Sequence, residues 1–300
     1  MAPQIKITFL GTADQIPSAS RNHTAILLTY GGENILVDCG EGAQRQFRKA
    51  HLNPCKLTRI LITHWHGDHV LGIPGILSTL ALSGYNKKLF IYGPSGTKKF
   101  IAELLRVFGF RREYEIEVED VVGRFFETED FYLEAEKMEH GIPCNAYSFV
   151  KKGKIRIDKS KLKKLKIAEG PHLKNLKEGK DMVYQGKKYK VKELTYGEED
   201  VKASFVLDTL DNKRIVPFVK DSDVFVCESE FSDEIKEQAK EHLHMTATQV
   251  ALIAKKAKVK KLVLTHISQR YEANLDFILK EAKAVFKDTL IAKDFDVVEV

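Results

Sequence analysis

Arg59-Ile60-Leu61-Ile62-Thr63-His64-Trp65-His66-Gly67-Asp68-His69 is the stretch on which the reading of this chain turns. Its first four residues read as a short buried strand, and residues 71–82 downstream have the length and apolar density of a helix. The polar residues between them are therefore expected on a strand-to-helix loop. Within six residues that loop offers three imidazoles and one carboxylate, donors of the kind zinc prefers. Adjacent side chains diverge, so a single ion does not take all four comfortably. His64 and His66, two apart, converge on one ion, while Asp68 and His69 reach a second, and Gly67 lets the loop turn between them. The bland alternative, a run of surface histidines, fits poorly with a strand before and a helix after.

Two catalytic ions need more ligands than one loop supplies. His140, just before Gly141 and Pro143 where a strand ends, is a candidate third imidazole for the first ion, although an ordinary turn histidine would look the same. Asp208 could bridge both ions, since one carboxylate has an oxygen for each, and His266 would complete the second. His23, His51, His172 and His242 read as surface residues.

The elements around these positions are those of an α/β protein. Short strands are expected at 5–10, 25–29 and 34–38, then at 131–138 and 146–150, with an amphipathic helix at 97–108. In the second half, strands are expected at 204–208, 223–227, 261–264 and 295–300, and a helix at 274–285. Thr246-Ala247-Thr248-Gln249 reads as a capping box opening a helix that reaches about residue 256. Ile35-Leu36-Val37-Asp38 echoes Phe205-Val206-Leu207-Asp208, and Leu61-Ile62-Thr63-His64 echoes Val263-Leu264-Thr265-His266. Chance similarity between short apolar runs accounts for this. So does an αββα sandwich of two related halves whose strand ends meet at one edge and bring His64 and His266 together.

At 300 residues, 43% hydrophobic and 30% charged, the composition is that of a globular chain, read as one domain with an insertion. No signal peptide or membrane span is expected, because the longest apolar stretch, 71–82, is broken by Gly and Pro. Cys39, Cys55, Cys144 and Cys227 form no CxxC pair, which suits a reducing compartment and a cytoplasmic location. Residues 151–192 hold fifteen Lys and one Arg against four acids, a surplus of twelve positive charges in a chain whose net charge is +6. The rest of the chain is therefore mildly acidic, and the insert reads as a polyanion contact.

The order His-x-His-x-Asp-His, His, Asp, His resembles the metallo-β-lactamase superfamily, and specifically its ribonuclease Z family. Phe9-Leu10-Gly11-Thr12, residues 17–22, Asp38-Cys39-Gly40-Glu41, residues 63–69 followed by Gly72-Ile73-Pro74-Gly75, Tyr92-Gly93-Pro94 and Thr265-His266-Ile267-Ser268-Gln269-Arg270-Tyr271 all look like that family's motifs. The resemblance implies a metallo-β-lactamase αββα sandwich carrying an inserted basic arm, and two Zn2+ per subunit. His64, His66 and His140 would hold one ion, Asp68, His69 and His266 the other, and Asp208 would bridge them. It implies removal of the 3′ trailer from precursor tRNA by attack of water on phosphorus, leaving a 3′-OH. Asp68 would orient or deprotonate that water, and His244 would give a proton to the leaving oxygen with Glu228 holding it. Arg270 would bind a phosphate.

Lys161, Lys163, Lys164 and the Gly170-Pro171 word fall where the family carries its tRNA-binding arm. The resemblance also implies a homodimer in which one subunit's arm serves the other's active site. The chain departs from the family's spelling at Ala19, at Val206-Leu207 before Asp208, at Met245 after His244 and at Cys227 before Glu228. None of these removes a proposed ligand, but they leave the His244 and Glu228 pair less defined. Two other readings stay open. One is a small-molecule hydrolase on the same fold, the other a non-catalytic RNA-binding protein with structural metals. The N/O donor set also accepts manganese or iron.

Overall fold

The apolar runs near the N-terminus lack the strict alternation of a half-exposed sheet, and they become strands buried on both faces. In the computed structural model, which describes residues 4–109 and 112–300, the strands are β1 Lys6–Gly11, β2 Ala25–Tyr30, β3 Glu33–Val37, β4 Arg59–Leu61, β5 Leu89–Gly93, β6 Ile116–Asp120, β7 Gly123–Glu127, β8 Phe131–Glu139, β9 Pro143–Lys151, β10 Ile155–Ile157, β11 Met182–Tyr184, β12 Lys187–Tyr189, β13 Thr195–Gly197, β14 Val201–Val206, β15 Val224–Glu228, β16 Lys261–Thr265, β17 Thr289–Ile291 and β18 Val297–Glu299. One seven-stranded sheet runs β18-β1-β2-β3-β4-β5-β6 and a second runs β17-β16-β15-β14-β9-β8-β7.

Helices cover the outer face of each sheet. Ala43–Lys49, Ile73–Leu82 and Thr97–Phe108 share a core with the first sheet through residues such as Phe47, Ile76, Leu77 and Ile101. Ala247–Ala257 and Leu275–Val285 do the same on the second through Val250, Ala254 and Ile278. Ile73, Ile76, Leu77 and Leu80 are fully buried, each worth roughly 1.5–3 kcal/mol by the area it removes from water. The sheets are tied face to face where the Tyr147 hydroxyl donates to the Ile62 carbonyl at 2.7 Å. This is the αββα layering, and it sets the C-terminal ends of β3, β4, β14, β15 and β16 along one edge.

The chain separates into two units. One comprises Met1–Glu127, Leu133–Phe149 and Lys202–Val300, the other Thr128–Tyr132 and Val150–Val201. The smaller unit contains the basic insert and has a core of its own, in which Leu162, Ile167, Leu173, Leu176, Met182 and Leu194 are buried. Asp158 caps its helix Lys159–Lys164 by accepting from the Ser160 and Lys161 amides. The lysines of that helix point to solvent while Leu162 turns inward. Among the described residues no helix is long and apolar enough to cross a membrane.

Several elements differ from those expected. β5, β6, β7 and β17 carry no alternation strong enough to announce them. The run 71–82 forms its helix only from Ile73 to Leu82, with Pro74 in the first turn where its missing N–H costs nothing, and a separate one-turn helix, Gly67–Val70, precedes it. Asp68 and His69 therefore lie on helix rather than loop. The terminal strand is only Val297–Glu299. The halves do share an Asp just past a strand, Asp38 and Asp208, but β3 and β4 are neighbours whereas β15 separates β14 from β16. His23 is buried, not superficial, with its Nε2 3.2 Å from the Gln15 carbonyl.

The segment after β3 is zipped to the metal-site helix: Cys39 N donates to His69 O at 2.8 Å and Gly72 N to Cys39 O at 2.9 Å. A Cβ on Gly40 would stand 2.2 Å from the Asp68 carbonyl, so only glycine permits this approach. Gly40→Ala is expected to cost about 1–3 kcal/mol, the usual penalty of overpacking, and to displace Asp68. Thermal unfolding and metal content of the variant, read together, check this. A wild-type melting temperature with full metal content would contradict it.

Candidate metal centre

Three residues of the edge leave their strands in a left-handed backbone conformation. Asp38, Asp208 and His266 have φ of 55°, 41° and 52°. Asp and His tolerate this region better than most residues, and strained conformations of this kind gather at functional sites. The turn aims Asp208 and His266 at the histidine cluster after β4.

Of three sets whose ligand atoms all lie within 4.8 Å of one another, two share Asp208, namely His64, His66, His140 and Asp208, and Asp68, His69, Asp208 and His266, while the third joins Glu228, His244 and His266. Asp208 belongs to the first two. Its Oδ2 is 3.6 Å from His64 Nε2, 3.7 Å from His140 Nε2 and 3.4 Å from His69 Nε2, and its Oδ1 is 3.4 Å from His266 Nε2. Asp68 Oδ2 lies 3.1 Å from His69 Nε2 and 3.3 Å from His266 Nε2. His66 faces its neighbours through Nδ1, 3.0 Å from His64 Nε2 and 3.2 Å from His140 Nε2. Trp65, between the first two histidines, is anchored by its indole N–H on Thr97 Oγ1 at 3.0 Å.

The outer ring nitrogens decide where the lone pairs point. Thr63 spends its one hydroxyl proton on Asp38 Oδ2 at 2.7 Å, so at 3.1 Å it can only accept from His64 Nδ1. The Leu243 carbonyl accepts from His140 Nδ1 at 3.2 Å, and Asp38 Oδ2 from His69 Nδ1 at 2.6 Å. Neutral His64, His140 and His69 therefore all turn Nε2 lone pairs inward, against each other or against carboxylates. His69 Nε2 and Asp208 Oδ1 are buried without a hydrogen-bond partner. Such a cluster needs positive charge at its centre, and N/O donors in two sets sharing one carboxylate fit a pair of divalent cations. Without a cation, protons supply that charge. Burial works against charging His69, but Asp208 and Asp38 outweigh it and hold its imidazole well above the ordinary range.

His244 sits beside the centre, two residues before a verified capping box in which Thr246 Oγ1 accepts from Gln249 N and Gln249 Oε1 from Thr246 N. Its Nδ1 is 3.0 Å from Glu228 Oε2, a fully buried carboxylate. Its Nε2 is 3.1 Å from Glu230 Oε2. Burial opposes its charge, yet Glu228 most of all, with Asp208 and Glu230, pushes its pKa up to about 9. Glu230, and Asp38 and Thr63 in their supporting role, are the residues that sequence reasoning missed. The signals present were the placement of Glu230 two residues past Glu228, and of Asp38 and Thr63 in motif words at strand ends.

None of the expected substrate residues belongs to these ligand sets. Arg270 is exposed, with its guanidinium 5.1 Å from the Phe231 ring centroid and its Nε donating to Ser268 Oγ at 3.3 Å. With Asp14, Glu230, Phe231, His242 and Ser268 it lines a cleft of about 450 Å³. Lys161, Lys163 and Lys164 are exposed on their helix in the smaller unit. Gly170 and Pro171 border an open groove there of about 1240 Å³.

Two seven-stranded sheets between helices, with a histidine and aspartate cluster at the strand ends, define a protein of the metallo-β-lactamase fold. A metallo-β-lactamase fold protein of Bacillus subtilis superposes with a TM-score of 0.71 at 20% identity, covering 99% of this chain and 100% of that one. The short form of human tRNase Z gives 0.72 at 27% identity, covering 98% of each. A family model described as Anti-Pycsar protein Apyc1 matches residues 5–139, less than half of the chain. A ribonuclease Z of Nanoarchaeum equitans is 37% identical over 293 residues, 98% of this chain and 92% of the relative. The chain belongs to the ribonuclease Z family and is an endoribonuclease.

In metal-free protein the His244 ring should titrate near 9, and Glu228→Gln should move its midpoint down toward the ordinary histidine value of about 6.5. Ring-proton NMR reads this directly. An unmoved midpoint would remove Glu228 as the source of the shift.

Proposed function

We propose that this chain is a zinc-dependent endoribonuclease that removes the 3′ trailer from precursor tRNA, leaving a 3′-OH. The observation that carries the reading is Asp208 shared between two ligand sets at the strand-end edge of a ribonuclease Z family chain. His64, His66 and His140 would hold one ion, Asp68, His69 and His266 the other, and Asp208 both. When bound, such a pair supplies Lewis-acid polarisation of a phosphoryl oxygen and activation of water at neutral pH.

The protein's own groups do the rest. Asp68 accepts a hydrogen bond from the attacking water, orients it toward phosphorus and takes up the proton the water loses. As the water oxygen bonds to phosphorus and the P–O3′ bond breaks, His244 gives its Nε2 proton to the departing 3′ oxygen, with Glu228 fixing Nδ1. Arg270, at the rim, offers a planar donor pair to a neighbouring phosphate. The basic unit binds the tRNA body by charge and shape through Lys161, Lys163, Lys164 and the Gly170-Pro171 turn, as suits a folded duplex. Cytoplasmic location, which rests on the cysteine usage, and a homodimer in which one subunit's arm serves the other's site, which rests on the family resemblance, complete the reading.

Incubating zinc-loaded protein with a 3′-extended tRNA precursor and mapping the product ends tests it. Cleavage at the 3′ side is expected, and Asp68→Ala should still bind the precursor but not process it. Deleting 151–192 should abolish precursor cleavage and flatten the salt dependence of binding. No cleavage of any precursor, together with rapid hydrolysis of a small phosphodiester that survives the deletion, would favour a small-molecule hydrolase instead.

A further inference from the structure

The tautomers of His64, His140 and His69 are set by Thr63, Leu243 and Asp38. His266 has no such partner. Its Nδ1 is buried and makes no hydrogen bond of good geometry. Beside it stands Glu230 Oε2, at 3.4 Å. The same oxygen is 3.1 Å from His244 Nε2, and the two imidazoles stack with centroids 5.6 Å apart and planes 22° from parallel. One carboxylate oxygen thus stands beside a proposed metal ligand and the proposed proton donor together.

The backbone makes this placement a property of the fold rather than of a wandering side chain. β15 and β16 pair in parallel with Glu228 opposite Thr265. Beyond the strand ends the pairing continues, with Ser229 N donating to Thr265 O at 3.0 Å and Ser268 N to Glu230 O at 3.2 Å. Glu230 is thereby held against the loop that carries His266. Its side chain is only 14% exposed and lines the cleft together with Asp14 and Arg270. A carboxylate there faces a substrate that is itself anionic, which makes it a poor phosphate contact and calls for another role.

Metal-binding histidines almost always donate their second ring N–H to a carboxylate, carbonyl or water, and removing that partner typically costs 10- to 100-fold in metal affinity. We propose that Glu230 is a positioning residue that accepts the Nδ1 proton of His266 and so turns the His266 Nε2 lone pair toward Asp68 and Asp208. The same carboxylate holds the Nε2 proton of His244 at the edge of the site until a leaving oxygen takes over that contact. Glu228 and Glu230, two residues apart at one strand end, then grip His244 at opposite nitrogens, and Glu230 couples the proton donor to the metal ligand. The inference rests on the metal assignment proposed above.

The test compares wild type with Glu230→Ala and with Glu230→Gln, which keeps the volume and an acceptor oxygen. Two readouts are taken: chelator competition for each of the two zinc ions, and the ring ¹⁵N shifts of His266 in the zinc-loaded protein. The alanine variant should lose 10- to 100-fold in affinity at one zinc site while the other is retained. Its His266 Nδ1 signal should broaden or shift, and the glutamine variant should lose less. Wild-type affinity at both sites with unchanged His266 shifts in both variants would overturn the inference, as would equal weakening of both sites. Neither readout depends on RNA cleavage, so a zinc-loaded wild type that leaves precursor tRNA intact would count against the proposed substrate alone.

Discussion

A buried carboxylate set among imidazole lone pairs is the constraint on which the rest of the structure depends. Asp208 is almost inaccessible and lies within 3.4–3.7 Å of four histidine nitrogens. Burial alone would keep it neutral, but His266, His69 and His64 hold it ionised, well below the usual carboxylate range. Lone pairs and carboxylates do not converge in a low-dielectric interior unless positive charge lies between them. The fold can therefore be understood as a frame that forces ligands together and leaves a cation to relieve them.

The frame works through strand ends. Parallel β3 and β4 deliver Asp38 and His64 side by side, so that Asp38 can hold both Thr63 and His69. Parallel β15 and β16 deliver Glu228, Glu230 and His266 in the same way. Left-handed turns at Asp38, Asp208 and His266 re-aim these side chains without adding residues. Backbone approaches as close as that of Gly40 to Asp68 then fix the first loop against the sheet. Precision at the centre thus comes from main-chain hydrogen bonds one or two residues away.

Much of this was legible in the sequence, for physical reasons that can be named. The density of donors in residues 64–69 has few structural explanations, and the long helices 97–108 and 247–257 announce themselves through a strong apolar face and a capping box. Strands such as β6 and β7 are half-exposed edge strands with mixed composition, and nothing local distinguishes them from loop. His140 is a candidate ligand whose local sequence is also that of an ordinary turn histidine, and only the three-dimensional meeting of β8 with the cluster sets it beside His66. Glu230 was invisible for the same reason, since its partners lie fourteen and thirty-six residues away and its neighbour Glu228 already seemed to answer the question of what holds His244. His23 was misread because a polar residue in a turn-rich stretch is usually exposed, whereas here it fills the space beside Gly40.

The central claim is that one carboxylate, Asp208, joins two cation sites. Anomalous diffraction at the zinc edge from crystals of zinc-loaded protein tests it most directly. The account predicts two peaks per chain, roughly 3.5 to 4 Å apart, one among His64, His66 and His140, the other among Asp68, His69 and His266, with Asp208 between them. A single peak, or peaks away from Asp208, would contradict it.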